Sequence, residues 1–152
     1  MIIELQNVWK SYSLGKTDVH ALKGITISLG SGDFVSVAGP SGSGKTTVMN
    51  IIGLIDKPSS GSICIQGKDV SNLNRQELTR MRQEVIGFVF QSFNLIPVLN
   101  VFENVELPLL IGRKKTDKAE RKEWVSHLLE QVGLSDRRNH KPSELSGGQQ
   151  QR

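Results

Sequence analysis

Residues 39–47 read Gly-Pro-Ser-Gly-Ser-Gly-Lys-Thr-Thr, a stretch that restricts the backbone more tightly than any other in the chain. The spacing is G-x-x-x-x-G-K-[ST], with Gly39, Gly44, Lys45 and Thr46 in the fixed positions. Glycines let the chain curl until successive N–H groups point inward, where a Cβ would obstruct an approaching anion. A helix starting at Gly44 adds unpaired N–H groups and the positive end of its dipole. Phe34-Val35-Ser36-Val37-Ala38 before the loop reads as a buried strand, and Val48-Met49-Asn50-Ile51-Ile52 after it as an apolar helix. Strand, loop and helix in that order are the setting in which this spacing cradles phosphates. The candidate phosphate-binding residues are thus Gly39, Pro40, Ser41, Gly42, Ser43, Gly44, Lys45, Thr46 and Thr47. Lys45 would reach the β- and γ-phosphates, and the Thr46 hydroxyl would bind Mg²⁺.

Composition sets looser bounds. The 152 residues are 37% hydrophobic and 22% charged, ordinary for one globular domain. A net charge of +4 suits a phosphate ligand or a membrane surface and does not by itself point to nucleic acid. The basic clusters, Arg113-Lys114-Lys115 and Arg137-Arg138, read as solvated loops or helix ends. One cysteine, Cys64, excludes an internal disulfide framework and is expected to be a small buried residue. Neither a signal peptide nor an apolar run of membrane-spanning length is visible, so a cytosolic protein with a membrane link through a partner is expected.

Strand patterns occupy Ile2–Tyr12, Ile25–Leu29, Ser62–Gln66 and Val85–Phe90, the last expected to be buried like Phe34–Ala38. Asn74, with Glu77 three residues on, predicts a capping box opening a helix through Met81. Val101–Leu110 reads as a helix that Pro108 should disturb. Thr116–Val132 reads as a better one, with Val125, Leu128, Leu129 and Val132 on one face and Gly133 as the stop. Strands come mostly before residue 91 and helices after it.

Residues 145–152 read Leu-Ser-Gly-Gly-Gln-Gln-Gln-Arg, opening on Leu145-Ser146-Gly147-Gly148-Gln149. A hydroxyl and two glycines at a helix start make a second anion nest. This segment resembles the signature motif of ABC ATPases, and it lies about as far from the first nest as that family places it. Tyr12, in the context Lys10-Ser11-Tyr12, resembles the family's adenine-stacking aromatic, with Trp9 a weaker candidate. Gln91, closing Gly87-Phe88-Val89-Phe90-Gln91, resembles the glutamine that contacts Mg²⁺ and the attacking water and hinges the helical subdomain. Asn50–Leu54, Gly87–Pro97 and Glu103–Leu110 look like the lipoprotein-release and macrolide-export branch.

The resemblance implies an α/β P-loop NTPase fold of the ABC type: an antiparallel β part, a P-loop core and a helical subdomain, with the C-terminal part of the core missing. It divides the chain into residues 1–91, carrying the β-subdomain and P-loop core, and 92–152, carrying the helical subdomain and the start of the signature helix. It implies ATP and Mg²⁺ as ligands, with Lys45 and Gln91 catalytic, and Thr46 and Gln91 at the metal. Tyr12, the loop 39–47 and Ser146, Gly147, Gly148 and Gln149 would hold nucleotide. Expected partners are a second ATPase subunit, bound head to tail so that Ser146–Gly148 close on the opposite γ-phosphate, and integral-membrane permease subunits at the cytoplasmic face. No nucleic acid is expected. Two alternatives remain open, a soluble ABC-type ATPase without a membrane partner and a non-hydrolysing nucleotide-binding remnant; a small-molecule kinase would leave the signature motif without a use.

The family's acidic motif and its general-base glutamate should follow the signature helix. Ile51–Asp56 imitates that motif but lies on the helix leaving the loop, and Lys57 stands where glutamate is required. His20, His127 and His140 read as surface or capping residues. The chain therefore reads as the N-terminal portion of a longer ATPase. The strand that should lie beside Phe34–Ala38 would be absent, exposing the middle of the sheet, and the 152-residue polypeptide alone is expected to be inactive or nearly so.

Overall fold

The computed structural model describes every residue except Lys16 and residues 113–116, and it divides into two compact units, Met1–Phe88 and Val89–Arg152. In the first unit, β1 (Ile3–Leu14) and β2 (Thr17–Leu29) form a long antiparallel hairpin. The loop 39–44 and helix α1 (Lys45–Ile52) follow, then β3 (Ser60–Ile65), β4 (Lys68–Asp69) and α2 (Arg75–Val85). Among the described residues the sheet has the order β2-β1-β3-β4, antiparallel at every pairing.

Alternation along β1 decides which face is buried. Leu5 and Val8 are fully enclosed, and Leu5 sits between Ile27 of β2 and Ile63 of β3. A register shift between Leu5 and Val8 keeps both on the core face, with Asn7 at φ 48° as its pivot. Gly61 lies against that pivot; a Cβ there would run into the Asn7 carbonyl oxygen, so no larger residue fits. Val48 and Ile51 of α1, Leu54 just beyond it and Leu78 of α2 complete this core. The core thus fixes α1, and with it the loop that α1 terminates.

The second unit holds α3 (Val101–Ile111), α4 (Lys118–Gln131), two short 3-10 turns (Ser135–Arg137 and Pro142–Glu144) and α5 (Gly147–Gln151). Its core joins Val101, Val125, Leu129, Leu134 and Leu145. Arg121 of α4 binds Glu106 of α3 at 2.7 Å, with both side chains mostly buried.

Capping chemistry accounts for the helix starts. Asn74 accepts from the Gln76 and Glu77 N–H groups while Glu77 accepts from the Asn74 N–H, as the spacing predicts, although α2 runs on to Val85. Asn100 and Glu103 repeat the arrangement at α3. Pro108 does not interrupt α3, which continues until the Gly112 N–H closes on the Pro108 carbonyl. Asp117 caps α4, while Thr116, placed in this helix from the sequence, lies outside the described residues. Val125 and Leu129 are buried and Leu128 and Val132 half-buried, on the face the periodicity predicts. Gly133, at φ 66°, ends the helix.

Three sequence expectations need correction. Phe34–Ala38 is neither buried nor a strand: Phe34 is 99% exposed, and residues 33–39 are irregular. Residues 86–90 are likewise outside any strand, Val85 belongs to α2, and Val89 is fully exposed. An apolar run forms a buried strand only where neighbours pair with its edges and cover its faces. The gap expected beside Phe34–Ala38 in the middle of a sheet is not seen as such, because residues 34–38 join no sheet and lie exposed, while the central strands β1 and β3 bury Leu5 and Ile63. Cys64 is half-buried, because Ile63 and Ile65 take the core side of β3 and alternation turns Cys64 the other way.

Candidate nucleotide-binding site

The loop reaches its shape through three glycines with φ values that other residues rarely adopt. Gly39 is at φ 155°, Gly42 at 79° and Gly44 at 86°. Gly44 is also sterically required: a Cβ there would lie 2.6 Å from the Ala21 carbonyl oxygen and 2.9 Å from Leu22 Cδ2, both on β2. The loop therefore rests directly on sheet backbone. Gly44 is the N-cap of α1 and provides no side-chain hydrogen bond to the helix start. Residues 40–43 are exposed, Thr46 is exposed and Thr47 half-buried.

Lys45 curls back over this loop. Its ammonium donates to the carbonyl oxygens of Gly39 at 2.9 Å and Pro40 at 2.7 Å and lies 3.5 Å from Ser43 Oγ. All three partners are neutral acceptors, so a phosphate oxygen would offer this cation a stronger, charge-assisted bond. A helix start without a side-chain cap, beside a lysine whose partners are neutral, fits a triphosphate. The exposed Thr46 hydroxyl fits Mg²⁺, which takes few protein ligands and completes its shell with phosphates and water.

Tyr12 belongs to the same unit. Its hydroxyl donates to Asp56 Oδ2 at 2.8 Å, and the Lys10 ammonium lies 4.8 Å from its ring centroid. Lys10 Nζ donates to Asp56 Oδ1 at 2.6 Å and to the Lys57 carbonyl at 2.8 Å. Partial burial works against the Asp56 carboxylate, but hydrogen bonds from Lys10, Tyr12 and the Lys57 N–H outweigh it and hold its carboxyl below the usual carboxylate range. Burial, then the bond to Asp56, pushes the Tyr12 phenol up, against an opposing hydrogen bond from Thr47. A lowered carboxyl contributes stability that is lost as pH falls through its folded value, and a raised phenol contributes stability lost as pH rises through its own. The cluster is thus intact across the neutral range, losing support only in acid through Asp56 and in strong base through Tyr12.

Trp9, the weaker stacking candidate, donates its indole N–H to Asn7 Oδ1 at 3.1 Å beside the β1 irregularity. The sequence-predicted residues divide between the units. Tyr12 and 39–47 lie in the first, where Thr47 meets Tyr12; Gln91, Ser146, Gly147, Gly148 and Gln149 lie in the second. Gln91 is exposed in an irregular stretch. Ser146 caps α5: its N–H donates to Gln149 Oε1 at 2.9 Å, and its Oγ accepts from the Gln149 N–H at 3.3 Å. Lys10 and Asp56 were missed as site residues. Lys10 shares a strand face with Tyr12 by period-two alternation, a signal available in the sequence, whereas Asp56 becomes a partner only through the tertiary fold.

The sequence pattern of the family described as ABC transporter matches residues 22–152. The chain belongs to the ABC transporter family. An uncharacterized ABC transporter ATP-binding protein of Thermotoga maritima is 47% identical over 151 residues, covering 99% of this chain and 64% of that protein. A macrolide export ATP-binding/permease protein, MacB, of Bdellovibrio bacteriovorus is 48% identical over 153 residues, 23% of its length. Among solved structures, the ATP-binding cassette MJ0796, in a dimeric post-hydrolysis state with ADP and Pi, superposes with a TM-score of 0.86 at 46% identity, covering 98% of this chain and 65% of that one. MJ0796 is a Methanocaldococcus jannaschii protein. The chain thus spans somewhat under two thirds of the cassette relatives it matches. Its fold is that of an ABC ATPase: an antiparallel N-terminal sheet, a P-loop and a helical C-terminal subdomain.

Gly44→Ala is expected to lower the stability of the first unit by about 2 kcal/mol or more, from left-handed strain and the clash with Ala21. Chemical denaturation checks this; wild-type stability would show that the loop does not rest on β2.

Proposed function

We propose that this chain is the N-terminal portion of the ATP-binding subunit of an ABC transporter, coupling ATP binding and hydrolysis at a dimer interface to movement of membrane subunits. The observation that carries the reading is the loop itself: three positive-φ glycines, an uncapped helix start and Lys45 held by carbonyl oxygens. In this reading the N–H groups of 39–47 grip the triphosphate, and Lys45 exchanges its carbonyl partners for β- and γ-phosphate oxygens. Thr46 would hold Mg²⁺, which when bound neutralises charge developing on the transferred phosphoryl group. Tyr12 takes the adenine face, and Gln91 orients the attacking water.

Ser146, Gly147, Gly148 and Gln149 close on the γ-phosphate held by a second copy, bound head to tail. The dimeric state of MJ0796 with ADP and Pi supports the pairing of two copies. In each copy the division near Gln91 separates the part that grips nucleotide from a helical part that meets the permease. The MacB relatives, named as macrolide export ATP-binding/permease proteins, support a membrane partner and the macrolide-export side of the branch that the sequence resembles. No helix among the described residues is long and apolar enough to cross a membrane. In this reading the protein sits at the cytoplasmic face through its permease partner.

In the full chain, Lys45→Ala is expected to weaken Mg·ATP binding at least tenfold by equilibrium binding, the loss of one charge-assisted contact. Unchanged affinity would contradict the assignment. Separately, the protein is expected to sediment with membranes only when a permease subunit is co-expressed. Membrane-independent behaviour in both conditions would favour a soluble ATPase.

A further inference from the structure

Asp56 has no part in the proposed hydrolysis, yet both of its oxygens are engaged. Oδ1 accepts from Lys10 Nζ at 2.6 Å and from the Lys57 N–H at 2.7 Å, and Oδ2 accepts from the Tyr12 hydroxyl at 2.8 Å. The residue is tied to α1, because its own N–H donates to the Asn50 carbonyl at 3.2 Å. Two more bonds fasten the same segment to β1: the Ser59 N–H to the Trp9 carbonyl at 2.8 Å, and the Ser11 N–H to Ser59 Oγ at 3.0 Å. The Lys10 side chain is only 12% exposed and that of Asp56 29%, so this ion pair is better shielded than a surface pair.

The Tyr12 ring is therefore held at two places. Its hydroxyl is held by Asp56, with Thr47 a further hydrogen-bond partner, and the Lys10 ammonium lies over the ring at 4.8 Å in a cation–π contact, while the residue keeps 36% of its surface exposed. Lys10 and Tyr12 lie two residues apart on one strand face, and Asp56 follows the helix that the phosphate loop opens. The clamp thus sets the position of the ring relative to the phosphate loop within one unit. A free tyrosine would have to surrender its rotamers on stacking; a clamped one has already done so.

We propose that Asp56 and Lys10 are positioning residues for Tyr12, holding its ring as a preformed platform for the nucleotide base. The inference rests on the reading of Tyr12 as the base-stacking residue. Neither Asp56 nor Lys10 touches the reacting phosphates, so their effect should appear only for ligands that carry a base.

The test compares affinities for Mg·ATP and for Mg·tripolyphosphate, which lacks the base, in the full chain. Asp56→Ala is expected to weaken ATP about five-fold, the worth of one ordinary hydrogen bond, with tripolyphosphate unchanged. Tyr12→Phe removes only the hydroxyl and keeps the ring, and it should reproduce the same selective loss even if Asp56→Ala folds poorly. Asp56→Asn, which keeps an acceptor, should restore part of the affinity. Tyr12→Ala should bring ATP affinity down towards that of tripolyphosphate.

If Tyr12→Ala leaves the ratio of the two affinities unchanged, the stacking reading fails and this inference with it. If Tyr12→Ala collapses the ratio while Asp56→Ala and Tyr12→Phe leave it at the wild-type value, the platform stands and the clamp is overturned. Equal losses for both ligands in Asp56→Ala and Tyr12→Phe would also overturn it, marking the cluster as a support of the fold alone.

Discussion

The contact between Gly44 and the backbone of β2 is the constraint on which the first unit turns. The loop can end and α1 begin only where the chain passes within van der Waals reach of the Ala21 carbonyl, and only glycine fits there. That approach aims the start of α1 and brings Lys45 back across the loop. It needs a rigid backing. The backing is the antiparallel sheet, whose Leu5, Val8, Leu22, Ile63 and Ile65 bury Val48 and Ile51 of the same helix. Burial of apolar side chains thus becomes positional accuracy for a loop half of whose residues, 39–44, are glycine.

Charge is distributed with the same economy. Lys45 is satisfied by neutral carbonyls, a state that a phosphate can improve upon. Lys10 is satisfied by a carboxylate, a state that a nucleotide cannot easily displace. Two lysines of one unit are thereby suited to different tasks, one to exchange partners and the other to hold still. Asp56 makes the difference. In sequence it only imitates part of an acidic motif, whereas its place after α1 makes it the anchor between helix and β1.

Local chemistry was legible from the residues alone. Asn74 with Glu77 marks a helix start because the two side chains satisfy each other's backbone, and it does so wherever the spacing occurs. Gly133 ends α4 because it tolerates a positive φ, and the glycines of 39–47 adopt positive φ for the same reason. Pro108 was over-read, since α3 continues through it to Ile111. Features that depend on neighbours were less legible. Phe34–Ala38 has the composition of a buried strand, but composition cannot supply the partners that pair and cover it, and Phe34 stands open to solvent. Lys10 and Asp56 fall under the same limit: 46 residues separate them, and only the packing of α1 on β1 brings them together.

The central claim is that main-chain amides of residues 39–47, together with Lys45, are what grips a nucleoside triphosphate. Amide chemical shifts followed by NMR as Mg·ATP is added to the isotope-labelled protein test it most directly. The account requires the largest saturable changes at Gly42, Gly44, Lys45 and Thr46, abolished at the same ATP concentrations by Lys45→Ala. Saturable changes centred elsewhere, with these four amides unmoved, would contradict it.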